Sequence, residues 1–260
     1  VYLDETGNVK IEAKDLDADS KDNCDSIKFK LAQTDFNCMH IGIENNVTLT
    51  VTDSSGNSDF CTVKVTVKDT LKPKAICKKE TVYLDAEGYG SINSGALDAG
   101  SSDNCISVSI LNLDTDFNCN HIKLTNYVTV TVTDQYGNSD TCHALVTVKD
   151  TIKPLVNCKD TTVYLDETGS VEINAKALDA GSRDVCGSVK FTAAQTNFNC
   201  AHVGANTVVL TVTDESGNSD TCHAVVTVKD TLKPEASCKD TTVYLDETGN
   251  VKIEAKDLDA

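Results

Sequence analysis

The 260-residue chain has no tryptophan, one methionine and three prolines, and only 5% of its residues are aromatic. With so few large side chains, packing alone gives a small domain little to hold it together, and covalent staples are expected. Basic residues are also scarce: 23 Lys and Arg stand against 40 Asp and Glu, a formal charge of −17. Such a surface repels phosphate, which argues against nucleic acid and anionic membranes as partners, and it keeps a long protein soluble. No apolar run is long enough to span a bilayer, no secretory leader is present, and nothing reads as an amphipathic helix. The catalytic signatures G-x-S-x-G and H-E-x-x-H and the P-loop are missing, and the acids recur along the chain in a way that suits a scaffold better than one active site.

What the sequence has is repetition. VYLDETGNVKIEAKDLDA opens the chain at Val1 and returns letter for letter at Val243, with variants at Val82 and Val163, so the steps are 81, 81 and 80 residues. The pattern predicts a segment of a tandem array built from modules of about eighty residues. All three prolines fall in one phrase, KDT-x-KP, ending at Pro73, Pro154 and Pro234. Proline fixes its own φ and holds the preceding residue extended, so these phrases read as short, stiff joints. Cutting there gives a partial module at 1–68 that lacks its first strand, complete modules at 69–149 and 150–229, and the opening of a fourth at 230–260.

Within a module, period-two runs such as NYVTVTVTD and SDTCHALVTVKD flank a Gly-Asn turn and predict a hairpin. KAIC, TVYLD, SINSGALD and ISVSIL read as further strands. About seven short strands with turn signals every 8–12 residues predict an all-β fold, an immunoglobulin-like β-sandwich in each module.

Twelve cysteines keep the same beat, four per module, and none lies in C-x-x-C spacing. That usage predicts disulfides in an oxidising, extracellular setting. In a sandwich whose first strand runs beside its last, Cys77 meets Cys142 and Cys158 meets Cys222, leaving the DNC and FNC cysteines for each other: Cys24–Cys38, Cys105–Cys119 and Cys186–Cys200. Cys61 and Cys238 are left over, with partners expected outside the sequence.

The phrases DNC, VTLTVTDSSGNSDFCTVKVTVKDT and D-T-x-x-P resemble the hyalin-repeat (HYR) group of immunoglobulin-like modules, most closely the cysteine-bearing tandem form in giant surface proteins and gliding-motility adhesins of Bacteroidota. Lys follows Cys77, Cys158 and Cys238, where many animal hyalin repeats have proline. The resemblance implies a non-enzymatic stalk on the cell surface whose partners are neighbouring modules of the same chain. A self-associating fibre or sheath, with lateral contacts between copies, and spacer modules of a secreted enzyme are the alternatives. The D-T-x tripeptides resemble a short O-glycosylation motif of exported Bacteroidota proteins, which would place sugars on Thr70, Thr151, Thr161, Thr231 and Thr241.

One set of acids looks suited to chemistry. Asp98, Asp103, Asp134, Asn138 and Asp140 recur as Asp179, Asp184, Asp214, Asn218 and Asp220, in loops expected at the pole where the joint aspartates Asp69 and Asp150 arrive. Converging carboxylate and amide oxygens suit calcium, which takes six to eight oxygen ligands. The histidines of C-x-H (His40, His121, His202) and C-H (His143, His223) are weak zinc candidates, because the first module has Thr62 at the C-H position.

Overall fold

Valine alternates with threonine in the strand Asn126–Thr133, so Val128, Val130 and Val132 point to one face and are buried. The strand Ser139–Lys149 pairs with it antiparallel, from Asn126 opposite Val146 to Thr133 opposite Ser139, and adds Ala144, Val146 and Val148 to the same core. Between them the Asp134 carboxylate accepts the backbone N–H of Tyr136 at 2.8 Å and of Asn138 at 2.9 Å. Gly137 completes the turn at φ +90°, a conformation open to glycine at little cost.

The strand Glu80–Tyr83 lies parallel to Ser139–Lys149, and Ser109–Ile110 flanks the other edge, giving a four-stranded sheet. A second layer pairs Tyr89–Asn93 with Asp114–Asn118. Leu84, Leu97 and Phe117 are buried with the valines. The computed structural model that shows this describes residues 1–24 and 26–259.

The chain divides into two compact units, Val1–Ile152 and Lys153–Ala260. The first unit holds the module just described and the one before it. In that earlier module Lys28–Leu31, Asn45–Thr52 and Ser58–Val65 form a three-stranded sheet, and Asn8–Lys10 pairs with Asp35–Asn37. The second unit repeats the plan, with a sheet of Thr161–Tyr164, Ser219–Lys229, Gly204–Thr213 and Lys190–Ala193 in that order, and Ser170–Glu172 paired with Asn197–Asn199. Its core gathers Leu165, Leu178, Phe198, Leu210 and Val226. Residues 230–259 carry no strand and are exposed.

Three segments differ from the strands expected of them. KAIC makes only isolated bridges, Lys74 with Ser102 and Cys77 with Asp98, because Pro73 just before it cannot donate to a ladder. SINSGALD is a strand only to Asn93, whose side chain then accepts the Gly95 N–H and caps the 3-10 turn Ser94–Leu97. In ISVSIL only Ser109–Ile110 pairs; Ile106 sits at φ +74°, which breaks the extended run.

Candidate functional site at a module joint

Two of the disulfides lie inside modules. Cys77 is bonded to Cys142 and Cys158 to Cys222, with Cα separations of 5.8 Å and 5.9 Å. Each joins the residues that precede the first strand to the last strand beside it. The others correct the expectation of local pairs. Cys38 is bonded to Cys105, 67 residues away and in the next module, so neither Cys24–Cys38 nor Cys105–Cys119 forms. Cys119 and Cys186 are disulfide-bonded too. Cys24, Cys61, Cys200 and Cys238 are exposed thiols, which also rules out Cys186–Cys200. Within the first unit, the FNC cysteine of the first module thus faces the following module and the DNC cysteine of the second faces the preceding one. A DNC cysteine and an FNC cysteine of one module therefore need not meet, and the thirteen residues between them along the chain do not make them neighbours.

Local geometry aims the FNC cysteine. Asn37 caps the 3-10 turn Cys38–His40: its side chain accepts the Met39 N–H, and His40 Nδ1 returns to the Asn37 N–H at 3.1 Å. The His40 ring also stands edge-on to buried Phe36, at 5.3 Å between centroids. His121 on Phe117 and His202 on Phe198 repeat this arrangement, and His143 Nδ1 lies 3.0 Å from Thr129 Oγ1. His40, His121, His202 and His143, all considered above for zinc, are thus engaged in capping and cross-strand contacts. Above each turn sits a glycine carbonyl: the sulfur lies 3.5 Å from Gly7 O at Cys38, 3.8 Å from Gly88 O at Cys119 and 3.7 Å from Gly169 O at Cys200. A side chain at Gly7 would meet both the Cys38 sulfur and the Asn104 carbonyl at 2.7 Å, so the approach of the two modules depends on glycine.

The interface inside the first unit is apolar as well as covalent. Cys105 is fully buried in the cluster of Leu3, Ile11, Phe36 and Val47 from the preceding module, and Tyr136 packs against the same cluster. Asn104 Nδ2 donates to Asp4 O at 3.0 Å across the joint. Closing a loop the size of Cys38 to Cys105 is worth about 4 kcal/mol by the loop-closure argument.

On the second module's face toward this joint, Asp69, Asp103 and Asp134 each place a carboxylate oxygen within 4.8 Å of the others. Asp69 and Asp134 are buried. Asp69 accepts the Leu71 N–H at 3.1 Å and Asp103 the Cys105 N–H at 2.9 Å, each through one oxygen. The other oxygens, Asp69 Oδ2 and Asp103 Oδ1, are buried without a hydrogen-bond partner. Two carboxylates at this separation repel by about 3 kcal/mol at an effective dielectric constant of about 20.

The other expected ligands also accept hydrogen bonds in their loops. Asp98 accepts from the Gly100 and Ser101 backbone and from the Ser101 hydroxyl, which together hold its carboxyl below the usual range, the hydroxyl foremost. Asp140 accepts the Ala75 N–H at 3.2 Å. Asn138 turns its amide nitrogen to Asp134 at 2.6 Å and toward the Asp69 carbonyl at 3.4 Å. In the second unit Asp179 accepts the Ser182 N–H, Asp184 the Cys186 N–H, Asp214 the Asn218 N–H and Asp220 the Thr221 N–H. Asp150, in the first unit, accepts the Ile152 N–H. Thr70, Thr151, Thr231 and Thr241 are exposed and Thr161 is half-buried.

Sequence reasoning missed the glycine seat and the joint-crossing bridge. The constant spacing of Gly7, Gly88 and Gly169 from Cys38, Cys119 and Cys200 was the available signal.

Residues 149–228 match the family model described as the HYR domain. Hyalin of Strongylocentrotus purpuratus is 26% identical over 215 residues, covering 78% of this chain and 18% of hyalin. An uncharacterised 81.3 kDa protein of Acholeplasma phage L2 is 28% identical over 186 residues, 69% of this chain and 25% of the phage protein. The chain therefore spans about a quarter or less of the curated relatives it matches. Among solved structures, an I-band fragment of titin overlays with a TM-score of 0.38 at 11% identity, covering 80% of this chain and 84% of the fragment. Cadherin domains 1–4 of protocadherin gamma B7 overlay at 0.34 and 13% identity, covering 72% and 58%. These loose overlays carry no argument about partners, and the fold rests on the strand pairings above. The chain carries HYR-like, immunoglobulin-fold repeats, and its disulfides place it in an oxidising, extracellular setting. No helix is long and apolar enough to cross a membrane among the described residues.

Proposed function

We propose that these modules are the non-enzymatic, load-bearing stalk of a larger cell-surface adhesin of the gliding-motility type, extending a binding region that lies elsewhere in the parent protein. The observation that carries the reading is the position of the disulfides relative to a pulling force. Tension along the chain enters a module ahead of its first strand and leaves through its last, and Cys77–Cys142 and Cys158–Cys222 short-circuit those two places. The covalent path that bears load then runs from Cys142 to Cys158, about 55 Å when fully extended, against about 280 Å for a whole module. Cys38–Cys105 adds a second covalent link beside the backbone at the joint, so neighbouring modules resist both unravelling and bending. A spacer in a secreted enzyme has no need of such protection.

Single-molecule stretching of the oxidised chain tests this. Extension steps per module of no more than about 5 nm, growing to more than about 15 nm after reduction, are expected. Long steps in the oxidised chain would refute the load-bearing role. Electron micrographs of the parent protein separate this reading from the fibre: solitary strands agree with a stalk, and bundles with laterally registered repeats do not.

A further inference from the structure

The geometry points to a calcium site at the joint formed by Asp69, Asp103 and Asp134, an inference that deepens the stalk reading and rests on it. Asp69 reaches the site from the joint phrase KDT-x-KP, Asp103 from the DNC loop and Asp134 from the hairpin turn, so the group exists only where those three segments of the second module meet. Backbone N–H groups hold the carboxylates in place: Leu71 on Asp69, Cys105 on Asp103, and Tyr136 and Asn138 on Asp134. These contacts use up part of the acceptor capacity and leave a remainder. Asp69 is only 7% exposed, and its Oδ2 has no donor; Asp103 Oδ1 is in the same condition. Native proteins rarely leave buried carboxylate oxygens unpaired, because the lost hydration must be replaced by a donor or a cation.

No protein cation fills that role. Among the described residues, the ion pairs are Lys10–Asp35, Lys14–Glu12, Lys64–Glu44, Lys78–Glu80 and Lys256–Glu254, all away from the group. Lys72 lines the adjoining groove with Asp103 but acts on Asp140, whose carboxyl it helps to hold below the usual range after the Ala75 and Thr141 N–H groups.

The donors are all oxygen, which excludes a soft metal. Calcium takes six to eight oxygens at about 2.3 to 2.6 Å in a flexible shell, whereas magnesium demands near-octahedral order at about 2.0 to 2.1 Å and gives up its waters reluctantly. The three carboxylate oxygens lie within 4.8 Å of one another, close enough for one calcium ion to bridge them, and water from the open groove lined by Glu5, Ser102 and Asn104 would complete the shell. Because Cys105, two residues from Asp103, is bonded to the preceding module, an ion here fixes the loop that carries the staple. Asp150, Asp184 and Asp214 are the sequence equivalents in the next module.

Calorimetric titration of the oxidised chain with calcium chloride or magnesium chloride tests the site, with circular dichroism to verify folding. Saturable calcium binding with a Kd in the range of about 0.1 to 1 mM, at least tenfold weaker for magnesium, is expected. Asp69→Asn and Asp103→Asn should each lose one bound ion per chain, while Asp98→Asn, outside the group, should bind as the parent does. Asp103→Asn keeps the oxygen that accepts the Cys105 N–H, so it reports on the site even if Asp69→Asn misfolds. Absence of saturable binding, equal binding of magnesium, or unchanged stoichiometry in Asp103→Asn would overturn the assignment. None of these outcomes alters the stretching result, so the stalk reading and the calcium site fail separately.

Discussion

Cys38 and Cys200 occupy the same place in two copies of one module, and only one of them is bonded. Both open a 3-10 turn capped by asparagine, both sit beneath a glycine carbonyl, and both follow a buried phenylalanine. Cys38 has a following module whose Cys105 enters its apolar cluster, and Cys200 remains an exposed thiol. The comparison teaches that the turn does not depend on the disulfide. The local sequence around each FNC cysteine thus builds the same turn with and without a bonded partner.

The largest expected effect falls on the bridges that the comparison leaves untouched. Cys77→Ser removes a staple that spans almost the whole second module and should cost about 4 kcal/mol of that module's stability. Calorimetric unfolding would resolve it as one transition moving down while the third module's stays. If both transitions moved equally, the bridges would be acting on something other than their own modules.

Cys105→Ala breaks the comparison directly by making Cys38 resemble Cys200. The second module keeps Cys77–Cys142, so it should remain folded; the first module loses a buried neighbour from its cluster, at a cost of about 2 kcal/mol. The expected signature is loss of coupling: the first two modules, which melt together when bridged, should melt apart. A single unchanged transition would mean that apolar packing alone carries the joint.

Much of this was legible in the sequence, and the reason lies in the range of each signal. The hairpin of Asn126–Thr133 and Ser139–Lys149 is local: alternation fixes its faces, and the Asp134-to-Asn138 turn fixes its register. First beside last strand follows from sandwich architecture, which is why Cys77 with Cys142 could be reasoned out. The Cys38–Cys105 bridge could not, because proximity along the chain pointed to Cys24, and only the three-dimensional ends of the module show which way each cysteine faces. The acid group was partly legible in the same sense. Turn chemistry marks Asp69, Asp98, Asp103, Asp134 and Asp140 alike, and only the structure separates the three that converge from those that accept hydrogen bonds elsewhere.

Gly7→Ala against Gly169→Ala sharpens the comparison at smaller scale. Both glycines have φ near +75°, so both substitutions carry the same backbone strain, on the order of 1 kcal/mol. At Gly169 the added carbon meets only the Cys200 sulfur, at 2.8 Å, and an unbonded thiol can rotate away. At Gly7 it meets a sulfur locked by its bond and the Asn104 backbone, neither free to move. Gly7→Ala should therefore be the more destabilising by about 1 to 2 kcal/mol and should slow re-formation of Cys38–Cys105 after reduction. Equal melting temperatures for the two variants would show that the joint has slack.

The smallest effect concerns Asp98, which shares the acid-rich pole with Asp69 yet stands apart from the group. Its carboxyl is held below the usual range, first by the Ser101 hydroxyl, against some desolvation, and further by the backbone N–H groups of Ser101, Gly100 and Ala99. A folded-state pKa below the unfolded one contributes stability that is present above the unfolded value, about 3.9, and is lost as pH falls through the folded value. The group is largely solvated, so the contribution is well under 1 kcal/mol. Asp98→Asn should accordingly lower the melting temperature slightly at pH 7 and converge with the parent near pH 2. The asparagine loses the charge but keeps one oxygen to accept from the Ser101 side. If the two proteins differed as much at pH 2 as at pH 7, the loop would owe its order to shape alone, and the ionised carboxylate would have no part in holding the strand-like bridge between Cys77 and Asp98.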